Sequence, residues 1–243
     1  MSLFLLHKLS GFFRLTEELE AAIATQCTAV ATFKPREIII RQGESYKNIY
    51  LMESGWVLRV RHLPDGNRQI VNVAVPGDFL CFNAALFDTS DFDLVAKVEV
   101  SAFRFERIGL EDLFTHFPAL GVALAWANSH EESMLAERVV SLGRRDARER
   151  MAHVLCELAS RLHIIGLSNG NLLSIPLTQE DFADLLGMSP IHVNRTLRSL
   201  AGAGLVHYKI GQVQILDLEG LARIAGFDQG YLHFTQRSDI LPR

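Results

Sequence analysis

The stretch LTQEDFADLLGMSPIHVNRTLRSL, residues 177–200, restricts the fold of this chain more than any other. Its apolar residues recur at helical spacing on both sides of Gly187, which predicts two short helices joined by a turn of three or four residues. Thr178 is the predicted N-cap of the first helix, and Asp181 three residues later completes a capping box. Ser189 is the predicted N-cap of the second helix, and the proline after it occupies the favoured first helical position.

The second predicted helix has one apolar face and one polar face. Val193, Leu197 and Leu200 lie at positions i, i+4 and i+7, so they form the predicted buried stripe. At about 100° per residue, Arg195 lies almost opposite that stripe and Asn194 lies at its flank. The residues around Arg195 are His192, Arg198, Ser199 and Ile191. Many surface helices carry charge on their outer face, so this helix alone does not identify a function.

A hairpin is predicted soon after the two helices. The segment GLVHYKIGQVQILD, residues 204–217, contains two strand-like runs around Gly211. Two capped helices, a tight turn between them and a following β-hairpin predict a helix-turn-helix with a wing. In such a domain the second helix lies in the major groove of DNA, and its N-terminal residues contact base edges. Few other folds join these parts in this order, so a DNA-binding module is the favoured interpretation.

The N-terminal half is rich in strand signals. From Phe33 onward, β-branched and aromatic runs are broken by turn residues, and strand signal resumes at 94–105. The dipeptide Asp65-Gly66 predicts a two-residue hairpin. Four glycines lie 12, 11 and 11 residues apart, and each is predicted to need a positive φ in a turn. They are Gly43, Gly55, Gly66 and Gly77. Short strands at this spacing predict a small sandwich or rolled barrel.

Two longer helices are predicted between these regions. Pro118 opens a helical pattern that continues to about Leu142 and ends at Gly143, and another runs from about Asp146 to Leu162. The first helix either lies on its own β domain or pairs with its copy in a second chain, with polar positions fixing the register. Its apolar stripe is Leu120, Ala123 or Leu124, Ala127 and Met134, interrupted by His130 and Glu131.

Composition excludes several classes of protein. No run approaches the ~18 consecutive apolar residues of a membrane span, and the N-terminus lacks a signal-peptide pattern. The three cysteines are far apart, and no Cys/His cluster has the spacing of an iron–sulfur or zinc site. No Ser/His/Asp array or phosphate loop supports an enzyme. These features predict a cytoplasmic protein with no metal and no catalytic site.

Charge gives only weak support for a nucleic-acid partner. Residues 1–143 contain 13 Lys and Arg against 18 Asp and Glu, whereas residues 144–243 contain 11 against 10. Dedicated DNA-binding domains are often strongly basic. Attraction to DNA must therefore come from the local placement of a few cations.

These motifs resemble the CRP/FNR family of bacterial transcription regulators. The resemblance runs through LTQEDFADLLGMSPIHVNRTLRSLAGAGLV, GQVQILD and the N-terminal GWV…DGN…VPGDF, and it covers nearly the whole chain. The sequences LGRR, AHVLCEL, HVNRTL and AGFD…YLH resemble one subgroup. The family resemblance implies an α+β fold in three parts. These are a cyclic-nucleotide-binding-like β-roll (a double-stranded β-helix) at 1–117, a long dimerisation helix at 118–143, and a winged helix-turn-helix DNA-binding domain at 144–243.

The resemblance also implies what the chain binds. It favours a homodimer formed through the long helix, acting as a transcription regulator on a near-palindromic operator in double-stranded DNA. Contact with RNA polymerase is left open, and no membrane partner is expected. Ser189 matches a cap that contacts a phosphate, and Thr178 and Gln179 match backbone-contacting positions. Arg195 matches an arginine that reaches a base or a phosphate, and Arg198 matches a phosphate contact.

The chain departs from the family at the positions that contact bases. Where many members have an adjacent Arg-Glu pair, this chain has Pro190-Ile191. His192 and Asn194 are therefore the expected substitutes, because histidine can donate to guanine and asparagine can pair with adenine. The usual target sequence of the family is not expected here.

The effector is not identified by sequence. Cyclic-AMP-binding members hold the phosphate with an arginine, but no arginine lies between Arg68 and Arg104, and Asp91-Phe92-Asp93 occupies the approximate place. Within that segment Lys97 is the one basic residue, and it has no reason to point inward; Arg59, Arg61 or Arg68 could reach in from neighbouring strands. We therefore expect a regulator with an unknown effector or none, and no cofactor.

A cyclic-nucleotide- or haem-responsive regulator of the same family is the alternative. Cys81 matches the haem-ligating cysteine of a carbon-monoxide-sensing member, but Asn83 replaces the histidine that follows it. A packed thiol is the preferred interpretation for Cys81, and likewise for Cys156 on an apolar helix face.

Overall fold

The computed structural model describes residues 27–80, 87–106, 115–116, 118–168, 173, 175–209 and 212–233. In the N-terminal half, eight described strands form two antiparallel four-stranded sheets. The strands are β1 Cys27–Phe33, β2 Ile38–Ile40, β3 Asn48–Ser54, β4 Val57–His62, β5 Arg68–Ala74, β6 Phe79–Leu80, β7 Asp93–Ala96 and β8 Val100–Glu106. One sheet has the order β1-β8-β3-β6 and the other β2-β7-β4-β5. The predicted rolled barrel is confirmed.

Turn glycines allow the strands to reverse within short connections. The four glycines predicted to have positive φ all do, with φ of 83°, 91°, 85° and 85° at Gly43, Gly55, Gly66 and Gly77. At Gly55 a Cβ would also collide with the Glu99 carbonyl, so a side chain is excluded there for two reasons. The glycine spacing therefore predicted the turns of the roll correctly.

The hairpin between β4 and β5 is longer than the sequence predicts. The Leu63 amide donates to the Asn67 carbonyl at 2.8 Å, which closes a loop of five residues. The Asp65 carboxylate accepts from the Asn67 amide at 3.0 Å and from the Asn67 side chain at 2.8 Å. The predicted two-residue turn is wrong, because the Asp65 side chain bonds two residues onward and builds a wider turn.

Strand β4 buries both of its faces. Val57 packs inside the roll with residues of the facing sheet, such as Met52 and Val100. Leu58 and Val60 point the other way and join a second core, which includes helix residues of the C-terminal half. Alternation along one strand thus connects the roll to the rest of the molecule.

The helices and the second hairpin follow in the predicted order. They are α1 Pro118–Arg144, α2 Ala147–Ile164, α3 Gln179–Leu186, α4 Pro190–Gly202, β9 Val206–Lys209, β10 Gln212–Ile215 and α5 Leu218–Ala225. A 3₁₀ turn, Gln229–Leu232, follows α5. Helix α1 continues through Gly143, where it was expected to end, and stops at Arg144. Two residues later the side chain of Asp146 caps α2 in a capping box.

The C-terminal half has a continuous core built on α2. Met151, Val154, Leu155 and Leu158 are buried on α2 among residues of α3, α4, α5 and the β9–β10 hairpin. Cys156 is also buried, and desolvation raises the pKa of its thiol to about 12, as expected for a packing residue. None of the helices within the described ranges is long and apolar enough to cross a lipid bilayer.

Candidate nucleic-acid interface

Local hydrogen bonds fix both ends of α3. The Thr178 hydroxyl accepts from the Asp181 amide at 3.2 Å, and the Asp181 carboxylate accepts from the Thr178 amide at 2.7 Å. This is the predicted capping box. Gly187 ends the helix with φ of 61°, a left-handed conformation that suits glycine. The chain therefore turns sharply into α4, as the sequence predicts.

Helix α4 packs through the predicted stripe. The Ser189 hydroxyl accepts from the His192 amide at 3.3 Å and caps the helix, with Pro190 as its first residue. Val193, Leu197 and Leu200 are buried, and Thr196 joins them. These contacts hold the axis of α4 against the core and leave its opposite face in solvent.

The outer face of α4 carries the predicted base and phosphate contacts. Arg195 and Arg198 are exposed, and His192 and Asn194 are half-buried at the flanks. Among the residues that the structure describes, neither guanidinium has an acidic partner. Two unpaired cations on one exposed helix face are suited to contact the phosphates and base edges of DNA.

Three further predicted contacts lie at helix N-termini. Thr178 and Gln179 begin α3 and are half-buried, whereas Ser189 is exposed at the start of α4. Free amides and the helix dipole make such positions favourable for an anion. The Thr178 hydroxyl already accepts a hydrogen bond in the capping box. A phosphate at the start of α3 would therefore be bound by backbone amides.

The predicted wing is present beside these helices. Strands β9 and β10 pair antiparallel, with Lys209 opposite Gln212 and Val206 opposite Ile215. Val206 and Ile215 are buried, whereas Lys209 and Gln212 are exposed near the tip. The hairpin thus extends the polar surface beyond α4.

The roll neutralises two of the three acidic residues of α3, Asp181 and Asp184. Arg68 donates to the Asp184 carboxylate at 2.6 Å, and Lys97 forms an ion pair with Asp181. The Gln69 side chain donates to the Leu185 carbonyl at 3.3 Å. Without these partners, both carboxylates would add negative charge next to the helix that faces DNA. Sequence reasoning missed this contact because the partners lie far apart in the chain.

A cavity lies between the roll and α1. Its polar lining residues are Arg59, Asn72, Asp78, Asn128, His130 and Glu131. Arg59 and Glu131 form an ion pair within it, and the Asn72 amide donates to the same carboxylate at 3.3 Å. Arg59 is therefore the arginine that reaches inward, and its charge is already balanced by α1.

Asp91 and Asp93, which stand in the approximate place of the family's phosphate-binding arginine, do not line this cavity. Asp93 accepts from the Gln42 amide at 2.7 Å and lies 3.1 Å from the His62 ring nitrogen, away from the cavity. Asp91 is exposed and receives a bond from Arg61 at its carbonyl. The carboxylates that line the cavity are those of Asp78 and Glu131. Lys97 does not line it, as expected, and Cys81 and Asn83 lie outside the described residues.

A buried polar cluster joins α1, α2 and the end of the chain. The Glu157 carboxylate accepts from Arg138 at 3.1 Å and from the Tyr231 hydroxyl at 3.2 Å. Burial, reinforced by Glu157, raises the pKa of Tyr231. Burial also lowers the pKa of His153 to about 4, with Arg145 as the second cause, so its ring is neutral at pH 7. Within the described residues, no group of His, Cys, Asp and Glu side chains is placed to hold a metal ion.

Comparison with known proteins matches both halves of the chain. Residues 30–117 match the cyclic nucleotide-binding domain, and residues 149–224 match the Crp-like helix-turn-helix domain. The nitrogen fixation regulation protein FixK of Azorhizobium caulinodans is 31% identical over 180 residues, which is 72% of this chain and 70% of that protein. The chain belongs to the CRP/FNR family of transcription regulators.

Other CRP/FNR proteins match over similar lengths. A CRP-like cAMP-activated global transcriptional regulator of Mycobacterium tuberculosis is 28% identical over 89% of this chain and 96% of its own length. The solved structure of FixK2 from Bradyrhizobium japonicum superposes with a TM-score of 0.75 at 22% identity, covering 82% of this chain and 98% of that one. The fold expected from the resemblance, with a roll, a long helix and a C-terminal helix-turn-helix, is confirmed.

CRP/FNR regulators act as dimers, and α1 has an exposed face suited to pairing. Six exposed residues on α1 follow a spacing of 4, 3, 4, 3 and 4 residues, the a/d pattern of a coiled coil. They are Ala125, Ser129, Glu132, Ala136, Val139 and Gly143. Part of the stripe expected from sequence faces elsewhere, since Ala127 lines the cavity and Met134 is buried against the roll. Leu120, Ala123 and Leu124 have side chains outside the described set.

Proposed function

We propose that this protein is a homodimeric, sequence-specific DNA-binding regulator that acts through α4. The observation that supports this is the pair of exposed arginines, Arg195 and Arg198, which have no acidic partner among the described residues and lie on a capped helix whose opposite face is buried. The pairing of Asp184 and Asp181 with cations of the roll reduces the negative charge that α3 carries beside α4.

Each predicted residue has a proposed role in this interface. Arg195 contacts a base or a phosphate, and Arg198 contacts a phosphate. His192 and Asn194 contact base edges from the flanks of the helix, where they are half-buried. Phosphates are held at the helix N-termini by the remaining three residues. These are Thr178, Gln179 and Ser189.

We propose that the chain has three functional parts, with the boundaries predicted from the sequence. Residues 1–117 form the sensory roll, 118–143 pair the two protomers, and 144–243 bind DNA. The exposed a/d stripe of α1 supports the middle assignment. A protein of this kind acts where the DNA lies, so we place it in the cytoplasm, with binding and not catalysis as its activity.

We further propose that its effector is not an anionic cyclic nucleotide. A phosphate entering the cavity would have to displace Glu131 from Arg59 and lie near Asp78. The first requirement costs free energy, because it would leave Glu131 without its cation and an unpaired buried charge costs several kcal/mol. The Asp78 carboxylate is already paired with Arg161. A cyclic-nucleotide-responsive regulator remains the second candidate, because Arg59 does lie in the cavity and could release its partner.

Binding to DNA from the protein's own promoter region tests the proposal. Fluorescence anisotropy at several salt concentrations would compare that DNA with a random duplex of equal length. We expect at least a roughly thousand-fold preference for one promoter fragment, and affinity that falls as salt rises. Equal affinity for both duplexes would contradict sequence-specific binding.

A further inference from the structure

Ile191 is the most exposed large apolar side chain in the described part of the chain, with 84% of its surface accessible. It is the second residue of α4. Neither packing nor helix propensity explains an isoleucine here, because it buries almost nothing and alanine is a better helix former. An explanation must come from a surface that covers Ile191 in a complex.

The residues that lie beside Ile191 on α4 indicate which kind of partner covers it. Arg195 and Arg198 follow at i+4 and i+7, so at about 100° per residue all three lie within roughly 40° of one line along α4. One isoleucine beside two arginines is too small an apolar patch for a protein partner, which needs several hundred Å². This face, with two cations and one apolar side chain, is complementary to a polyanion that presents a single apolar group near the start of the helix.

Double-stranded DNA offers one such group in the major groove. Thymine presents its C5-methyl group there, whereas cytosine, adenine and guanine present polar atoms that an isoleucine would leave without a partner. We infer that Ile191 contacts the C5-methyl group of one thymine in each half-site and so selects thymine at that position. The inference rests on the proposed function and names a base that its operator contains.

The test removes the methyl group without changing base pairing. The operator is first obtained by enrichment from a randomised library with the full-length protein. Each thymine is then replaced in turn by deoxyuridine, which lacks only the C5-methyl group. Burial of one methyl predicts about a four-fold loss of affinity per half-site, and about fifteen-fold when both half-sites are changed.

Variants assign that loss to Ile191. Ile191→Ala should bind the thymine operator as weakly as the unaltered protein binds the deoxyuridine operator, and should not distinguish the two. Leu63→Ala is the matched control, since Leu63 is also an exposed apolar residue but lies in the β4–β5 turn. This control should retain the full preference for thymine.

Two results would overturn the inference, and they are distinguishable. An enriched operator with no thymine sensitive to the substitution, or a sensitivity that Ile191→Ala retains, would remove the role of Ile191 alone. A library from which no sequence is enriched would overturn the proposed function as well.

Discussion

At the scale of single residues, α4 separates the task of folding from that of binding. Val193, Leu197 and Leu200 are buried and position the helix, whereas Arg195 and Arg198 are exposed and have no acidic partner in the part of the chain that the structure describes. Exposed side chains of this kind contribute little to the stability of the free protein. Their removal should therefore affect DNA binding and leave the fold intact.

Substitution of the two arginines should have different effects. Arg195→Ala should cost about 1–3 kcal/mol of binding free energy at the specific operator and less on random DNA. Arg198→Ala should weaken binding to all sequences and lower the slope of log affinity against log salt by about one. Anisotropy titrations over a range of salt measure both. Unchanged operator affinity in both folded variants would contradict the assignment.

We expect the affinity for cyclic AMP to depend on whether Arg59 is paired with Glu131. Because Glu131 balances its charge, we expect no binding of cyclic AMP or cyclic GMP to the unaltered protein at micromolar concentration. Glu131→Gln leaves Arg59 available to a phosphate, so this variant should bind cyclic AMP more tightly than the unaltered protein does. Isothermal titration compares the two. Micromolar binding by the unaltered protein, accompanied by tighter DNA binding, would overturn the proposal.

At the scale of elements, helix α1 has two faces with different surroundings. His130 and Met134 are buried against the roll, and the exposed a/d stripe lies on another side of the same helix. Small residues such as Ala136 allow two such helices to approach closely. A single helix thereby covers the cavity and, in the proposed dimer, presents a surface to the second protomer.

The stripe gives a direct test of dimerisation. Val139 is 70% exposed in the single chain, and Val139→Glu would place two like charges across the dyad. We expect the dimer to dissociate at least about ten-fold more readily, because an unpaired buried charge is costly. Leu167→Glu, an exposed apolar residue outside α1, is the matched control. Sedimentation showing an unaltered protein that is monomeric at micromolar concentration, with and without DNA, would contradict the proposal.

Elements defined by local chemistry were predictable from the sequence, and contacts between distant segments were not. The capping box at Thr178 and Asp181 and the left-handed turn at Gly187 depend on neighbouring residues, so the prediction was correct. The sequence did not show which face of α1 packs against the roll and which is exposed, because apolar and small residues occur on two sides of that helix. Nor could sequence pair Lys97 with Asp181, since the pair depends on how the roll packs against α3.

At the scale of the whole molecule, one buried ion pair joins the roll to α2. Arg161 donates to the Asp78 carboxylate at 2.6 Å, and its side chain is almost fully buried. Asp78 also lines the cavity, so this pair connects the cavity wall to α2, the helix on which the core of the C-terminal half is built. Glu157 is a more distant second partner for Arg161, at 3.7 Å.

Loss of this pair should destabilise the protein measurably. Asp78→Asn leaves a buried guanidinium with only its distant partner, so we expect the free energy of unfolding to fall by about 3 kcal/mol. Urea denaturation measures this change. Glu219→Gln, which removes an exposed i,i+4 pair with Arg223, is the control and should have an effect close to zero. Equal effects of the two substitutions would show that the Asp78–Arg161 pair does not contribute.

Hydroxyl-radical footprinting on the enriched operator tests the central claim most directly. A two-fold symmetric dimer that inserts one α4 into each half-site should protect two matching tracts whose centres lie about one helical turn, ~34 Å, apart. Arg195→Ala should lose both tracts at the same protein concentration. Protection of one tract only, or equal protection of unrelated DNA, would contradict the account of a dimer that recognises a near-palindrome through α4.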